Sequence, residues 1–273
     1  MNEIRKGIYR HFKGNKYEVR SVAKHSETLE EMVVYRALYG ERGVWVRPAS
    51  MWNEIVERDG KRQPRFEFLG EFRRMSRGEI ESWYTGDFAT AFAENERKPL
   101  NDIFALIDAG RYELWGLFEP GAEAVGDAES TPTAYAALWK RAGIPLVLLD
   151  YLGVTESRRN GGIGANMLEI LKAQDFPIVT ESELPVHGDS AEENAIRERR
   201  MEFYRRNGFV PAYEMATCGM RWQAYLAGAE EYSLSDIMRW HKDLYGPERT
   251  DVVVPLGKDE TPQMPYWMKG KES

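Results

Sequence analysis

The sequence is poor in the side chains that build disulfide frameworks and metal centres. One cysteine, Cys218, and four histidines serve all 273 residues. A lone thiol forms no internal disulfide, and a tetrahedral cysteine-based zinc site is excluded, so no metal is expected. No apolar run approaches the ~20 residues that cross a bilayer, which argues against a membrane partner. The opening Met1-Asn2-Glu3-Ile4-Arg5-Lys6 is not followed by the apolar segment of a secretory leader, and a cytoplasmic location is the expectation. Internal repeats and low-complexity tracts are also missing. What is present is an ordinary globular balance, 42% hydrophobic and 30% charged.

The net charge of −7 is unevenly spread. Residues 1–70 carry 14 Lys and Arg against 10 Asp and Glu, and the remainder carries 23 against 34. The acidic surplus disfavours a nucleic-acid partner, because duplex affinity comes from neutralising phosphates with Lys and Arg. Opposite signs would help the two parts dock, or draw a cationic amine to the C-terminal part. Otherwise they are solvated surface.

Residues 5–69 alternate apolar and polar side chains with the period of strands: Gly7–Phe12, Lys16–Val22, Met32–Tyr39 and Val44–Arg47, the last closed by Pro48. Gly14-Asn15 and the Gly40–Gly43 stretch mark turns. A small, strongly bent sheet or barrel is expected. The runs Tyr9-Arg10-His11-Phe12-Lys13-Gly14-Asn15, Ala23-Lys24-His25-Ser26-Glu27-Thr28, Val34-Tyr35-Arg36-Ala37-Leu38-Tyr39-Gly40, Trp45-Val46-Arg47-Pro48 and Arg65-Phe66 resemble the DUF1653 family, a short bacterial module of unassigned function. His25-Ser26-Glu27-Thr28 contains pieces of a catalytic triad. Adjacent residues point in different directions, however, and a structural or ligand-contact role suits them better.

Beyond residue 70 the pattern turns helical, with Ser76 and Glu79 spaced as a capping box. Asn101-Asp102 is read as the cap of a short helix ending at Gly110. Arg111–Phe118 and Thr133–Lys140 read as strands flanking a loop or hairpin connection over Gly121–Pro132. The run Ile144–Leu152 is nearly continuously apolar, as in a strand covered on both faces. Then comes Gly153-Val154-Thr155-Glu156-Ser157-Arg158-Arg159-Asn160-Gly161-Gly162-Ile163-Gly164, leading into the helical spacing of Ala165–Lys172. Strand, glycine-rich turn and helix form an anion site, since a helix start offers unpaired amides and the positive end of its dipole. Arg158 and Arg159 add charge for phosphates. A nucleoside-triphosphate loop would need Gly-Lys-Ser/Thr, which this turn lacks, and Met167 stands where a dinucleotide fingerprint needs its third glycine.

The pattern Arg-x-x-Gly-x-Gly at Arg159, Gly162 and Gly164 resembles the pyrophosphate loop of the GNAT acyl-CoA N-acyltransferases. A strand at Pro177–Glu181 and a helix over Arg199–Asn207 follow in the GNAT order, and Phe203-Tyr204-Arg205-Arg206-Asn207-Gly208-Phe209 resembles the family's helix terminus before its sixth strand. The resemblance covers about residues 71–245. It implies an α+β chain: a β-rich, barrel-like N-terminal domain over 1–70, a mixed, mainly antiparallel GNAT sheet with flanking helices over 71–250, and a tail over 251–273.

It also implies a chemistry, acetyl transfer from acetyl-CoA to a primary amine of a small molecule or peptide. The strand at Leu148–Val154 is expected to splay from its neighbour, freeing amides near Leu152 and Val154 for the pantetheine arm. Arg159, Asn160, Gly161, Gly162, Ile163 and Gly164 would hold the diphosphate. Tyr204 matches the tyrosine that protonates the leaving thiolate, the other reading being a core tyrosine on an amphipathic helix. Glu183, then Glu181, are the base candidates, with His187 behind them. Arg197 and Arg200 depart from the family, which has asparagine and a small residue there. Trp83, Tyr84, Trp115 and Trp139 read as acceptor-pocket walls or as core. Leu234–Tyr245 is an amphipathic helix that packs on the transferase or on a second subunit, leaving a homodimer open. A catalytically silent CoA-binding sensor or scaffold is the alternative.

Overall fold

A computed structural model describes residues 3–120, 130–159 and 161–268. The first strands are β1 (Gly7–His11), β2 (Lys16–Lys24), β3 (Glu31–Ala37) and β4 (Val44–Pro48), followed by a single turn α1 (Ala49–Trp52), a hairpin β5 (Ile55–Arg58) and β6 (Lys61–Pro64), and the long β7 (Phe66–Arg74). Helices α2 (Arg77–Trp83), α3 (Ala89–Ala91) and α4 (Leu100–Asp108) lead to β8 (Tyr112–Phe118), β9 (Ala134–Trp139) and β10 (Val147–Val154). The chain then runs through α5 (Ile163–Lys172), β11 (Ile178–Glu183), α6 (Ala191–Arg206), β12 (Val210–Thr217), β13 (Met220–Ala227) and α7 (Leu234–Tyr245).

Eleven strands make one sheet in the order β12-β13-β11-β10-β9-β8-β7-β1-β2-β3-β4. Every pairing is antiparallel except β10 with β11. The N-terminal strands are β-rich as expected, but β7 carries the pairing onward in place of a barrel closure. Its Phe66–Gly70 half pairs with β1 and its Glu71–Arg74 half pairs with β8, so the expected boundary near residue 70 falls inside one strand.

Helices cover both faces, which is why β9 is buried at every residue. Ala134, Ala136 and Leu138 face α5, whose Met167, Leu168 and Leu171 fit over these mostly small side chains. Tyr135, Ala137 and Trp139 face the other way, towards Trp83 of α2, Ile103 of α4 and Leu244 of α7. A third cluster lies under α1, where Trp52 stacks on Phe66 at 3.7 Å between ring centres. The unlike charges of the two parts meet in part at their junction: Lys16 pairs with Glu169 at 2.6 Å, and Arg36 and Arg42 both reach Asp175. The Arg36 guanidinium holds the Asp175 carboxyl below the usual carboxylate range.

Two expectations shift. The helix near residue 100 begins at Leu100 behind Pro99, so Asn101 and Asp102 lie in its first turn and do not cap it. Helix α6 begins at Ala191, eight residues before Arg199, because Ser190 and Glu193 form a complete capping box there. The greater part of the Gly121–Pro132 connection, residues 121–129, lies outside the described residues.

Candidate functional site

The sheet opens in its middle. Strands β10 and β11 pair only at Val147–Leu149 against Ile178–Thr180, yet β10 runs on to Val154 and β11 to Glu183. A register shift between Leu149 and Tyr151 marks a bulge on β10 where the two part. Strand β10 stays bonded to β9, and the Thr155 amide donates to the Thr133 carbonyl at 2.9 Å. Antiparallel pairing alternates hydrogen-bonded with non-bonded residues, so the Leu152 and Val154 amides point away from β9, into the gap.

That gap is the core of a cleft of about 1060 Å³. Gly153, Val154, Arg159, Gly162, Ile163 and Gly164 line one end; Glu181, Tyr204, Trp222, Tyr245 and Arg249 line other parts. Helix α5 presents its start to the cleft through Gly162, in the left-handed region at φ 75°. Helices α2, α6 and α7 each begin with a serine hydroxyl accepting an amide N–H and a carboxylate in the first turn. Helix α5 has neither, so among the described residues no side-chain cap meets its first amides and the positive end of its dipole. Arg159 lies beside this end, its Nε donating to the Val154 carbonyl at 3.2 Å, while Arg158 is paired with Glu119. Arg199 and Arg206 line the same cleft from α6. Asn160 lies outside the described residues.

Gly153 fixes how closely β10 and β9 approach. A Cβ there would fall 2.1 Å from Tyr135 Cζ, and Tyr135 is buried edge-on against Trp83. Gly153→Ala is therefore expected to lower unfolding stability by roughly 1–3 kcal/mol, the usual cost of overpacking. An unchanged urea midpoint would contradict this account of the strand.

Tyr204 lies in the cleft wall with its ring near Phe209 and Tyr225, and burial pushes its phenol above the usual range. The two base candidates are both held. Glu183 accepts from Arg197 at 2.8 Å and from Arg200 at 3.3 Å, which gives the two arginines a role in bracing β11. Glu181 accepts from the Tyr245 hydroxyl at 2.8 Å, and His241 Nε2 lies 2.8 Å from it, out of line for a hydrogen bond. His187 is exposed on its loop. Trp83 and Trp139 are core and Trp115 stacks on Phe72, and the cleft's aromatic lining instead includes Phe92, Tyr151, Trp222 and Tyr245. His25 Nδ1 accepts from the Glu27 and Thr28 amides, a turn-closing role.

The sequence reading missed several lining residues. Lys98 is buried beside Asp150 at 2.7 Å, with Tyr112 donating to the same carboxylate. Arg249 is held by Asp251, and Glu96 projects from the loop before α4. Cys218 also lines the cleft, but burial pushes its thiol up to about 11, so little thiolate is present at neutral pH. Among the described residues no group of His, Cys, Asp and Glu is placed to hold a metal ion, and no helix is long and apolar enough to cross a membrane.

A family model described as a protein of unknown function, DUF1653, matches residues 7–68. A crystal structure of a DUF1653 protein from Bordetella bronchiseptica is 40% identical, over 26% of this chain and 94% of that one, with a TM-score of 0.25. The chain belongs to the DUF1653 family. The DUF1653 region thus comprises β1 to β6 and the first part of β7. The rest of the chain is similar to solved GNAT structures. A putative GNAT acetyltransferase from Bacteroides thetaiotaomicron is 20% identical over 64% of this chain and 98% of that one, with a TM-score of 0.46. An aminoglycoside 6'-N-acetyltransferase complexed with coenzyme A is 12% identical over 57% and 95%, with a TM-score of 0.39. No curated protein matches the chain.

Proposed function

We propose that the chain is an acyl-CoA-dependent N-acyltransferase of the GNAT type, moving an acetyl group from acetyl-CoA to a primary amine of a small molecule or peptide. One observation carries the reading: β10 and β11 part beside a helix start that has no side-chain cap among the described residues. A pantetheine arm can add to the free amides of Leu152 and Val154 as a short strand would. Its diphosphate then meets the amides beginning at Gly161–Gly164, with Arg159 alongside. An amide at the gap can also hold the oxyanion that develops on the thioester carbonyl. Glu181 and Glu183 shape the β11 side of the gap, and Tyr204 is the acid for the leaving thiolate. The DUF1653 region assists recognition or assembly.

Calorimetry with CoA and acetyl-CoA tests the site, and thiol release with a panel of amines tests the reaction. Saturable heat followed by amine-dependent thiol release is expected. No heat with folded protein would sink the reading. Heat without thiol release from any amine would leave a CoA-binding protein and remove the enzyme.

A further inference from the structure

Four carboxylates stand in or beside the gap, and three are occupied. Asp150 is neutralised by Lys98 and accepts from Tyr112. Glu181 accepts from Tyr245, and Glu183 is clamped between Arg197 and Arg200. A carboxylate whose lone pairs are already engaged by an arginine, a lysine or a phenol has fewer of them left to reach an incoming ammonium. The fourth is Glu96. It lines the cleft, and among the described residues its carboxylate has one backbone partner, the Ala93 amide, and no side-chain hydrogen bond or ion pair.

Its backbone is firmly placed. The Tyr151 hydroxyl, from the splayed part of β10, donates to the Glu96 carbonyl at 2.5 Å. Asn95 Nδ2 donates to the Cys218 carbonyl at 2.8 Å, and Trp267 Nε1 donates to the Asn95 carbonyl at 3.2 Å. The loop is thereby tied to β10, to the β12–β13 turn and to the C-terminal segment at once. Glu96 faces Glu183 of β11 and Arg197 and Arg200 of α6, with Tyr151 of β10 below, while the nearby Lys98 ammonium is turned to Asp150.

Resting on the acyl-transfer reading, we infer that Glu96 is the general base that deprotonates the acceptor amine. The acceptor ammonium gives one proton to Glu96, which passes it to solvent. The neutral nitrogen attacks the thioester carbonyl, the C–N bond forms and the C–S bond breaks. The departing sulfur takes the Tyr204 hydroxyl proton, and the second nitrogen proton restores that tyrosine through solvent. The net products are amide, CoA thiol and one released proton. Burial, with the Glu183 charge next, pushes the Glu96 carboxyl up to about 7, close to the optimum for a base working at neutral pH. The nearby arginines oppose the rise without cancelling it.

The test pairs kinetics with a direct titration. Protein labelled with carbon-13 at glutamate side-chain carboxyls is followed by NMR from pH 4 to 9, for the unaltered chain and for Glu96→Gln. Thiol release from acetyl-CoA is measured over pH 6–9 with the most reactive amine of the panel. The expected results are one carboxyl titrating near pH 7 that is missing in Glu96→Gln, an acidic limb near pH 7 in kcat/KM, and loss of about 100-fold in Glu96→Gln together with that limb. Glu96→Asp should keep the limb at reduced rate, and acetyl-CoA affinity by calorimetry should stay within about twofold in both variants. A Glu96 carboxyl titrating below pH 5, or turnover whose acidic limb survives Glu96→Gln, overturns the inference and leaves the acyl-transfer reading standing. No acetyl-CoA binding, or binding without thiol release from any amine, overturns both.

Discussion

Asp251→Ala should cost about 3–5 kcal/mol of folding stability at pH 7, the range seen when one partner of a buried ion pair is removed. Arg249 and Asp251 are almost fully enclosed, with side-chain exposures of 3% and 1%. The carboxylate accepts from Arg249 Nε and Nη2 at 2.9 Å each, and from the Thr217 hydroxyl and the Cys218 amide at 3.0 Å. Its removal orphans these donors and leaves a guanidinium uncompensated between the Tyr245 and Trp267 rings, both within 5 Å. The hydrophobic gain of an alanine methyl, about 1 kcal/mol, cannot offset that. Burial pushes the Asp251 carboxyl up, but the Arg249 guanidinium outweighs it and holds the group below the usual carboxylate range. A depressed folded-state pKa adds stability that is present above the unfolded value, near pH 4, and fades as pH falls through the folded value. Urea unfolding should therefore show a wide gap between the unaltered chain and Asp251→Asn at pH 7, narrowing below about pH 4. A loss under 1 kcal/mol for Asp251→Ala would contradict the buried-pair account.

The legible parts of this site were those written in local spacing. The apolar run ending at Leu152 and the glycines after it announced a buried strand entering a glycine-rich helix start, and α7 lies where its apolar period put it, Leu234–Tyr245. Helix α6 was only half legible, because its first turns read Ala191-Glu192-Glu193-Asn194-Ala195, with no apolar stripe. Its start was written instead in Ser190 and Glu193, the same signature that had been recognised at Ser76 and Glu79. The extent of the sheet was not legible, since β7 alternates identically whether it closes a barrel or passes from β1 to β8. Least legible was the side of the cleft away from α5. Glu96, Lys98 and Arg249 sit on irregular segments far apart in sequence, joined only by long-range bonds such as that of Asn95 to Cys218. Sequence pattern could name Glu181 and Glu183 as carboxylates at a strand end. It could not reveal that Tyr245 and two arginines already hold them.

Tyr204→Phe should lower kcat by about 100-fold while leaving CoA affinity and thermal stability nearly unchanged, since general acids contribute ~10²–10⁴. The ring contacts with Phe209 and Tyr225, 5.7 and 5.8 Å between centres, need no hydroxyl, and Thr180, the side chain that the phenol reaches, keeps its own bond to the Leu149 carbonyl at 3.1 Å, so phenylalanine keeps the packing. Burial pushes the phenol above its usual range, so its proton is in place throughout any neutral assay. The two roles of this residue differ in size. A hundredfold loss in kcat corresponds to about 2.7 kcal/mol of barrier, whereas deletion of one hydroxyl hydrogen bond in a purely packed tyrosine costs about 1 kcal/mol of stability. Those losses appear in different measurements: the acid role lowers kcat at a constant unfolding midpoint, and the packing role moves the midpoint at constant kcat. A variant with full kcat would remove Tyr204 as the proton donor and leave the leaving thiolate to solvent.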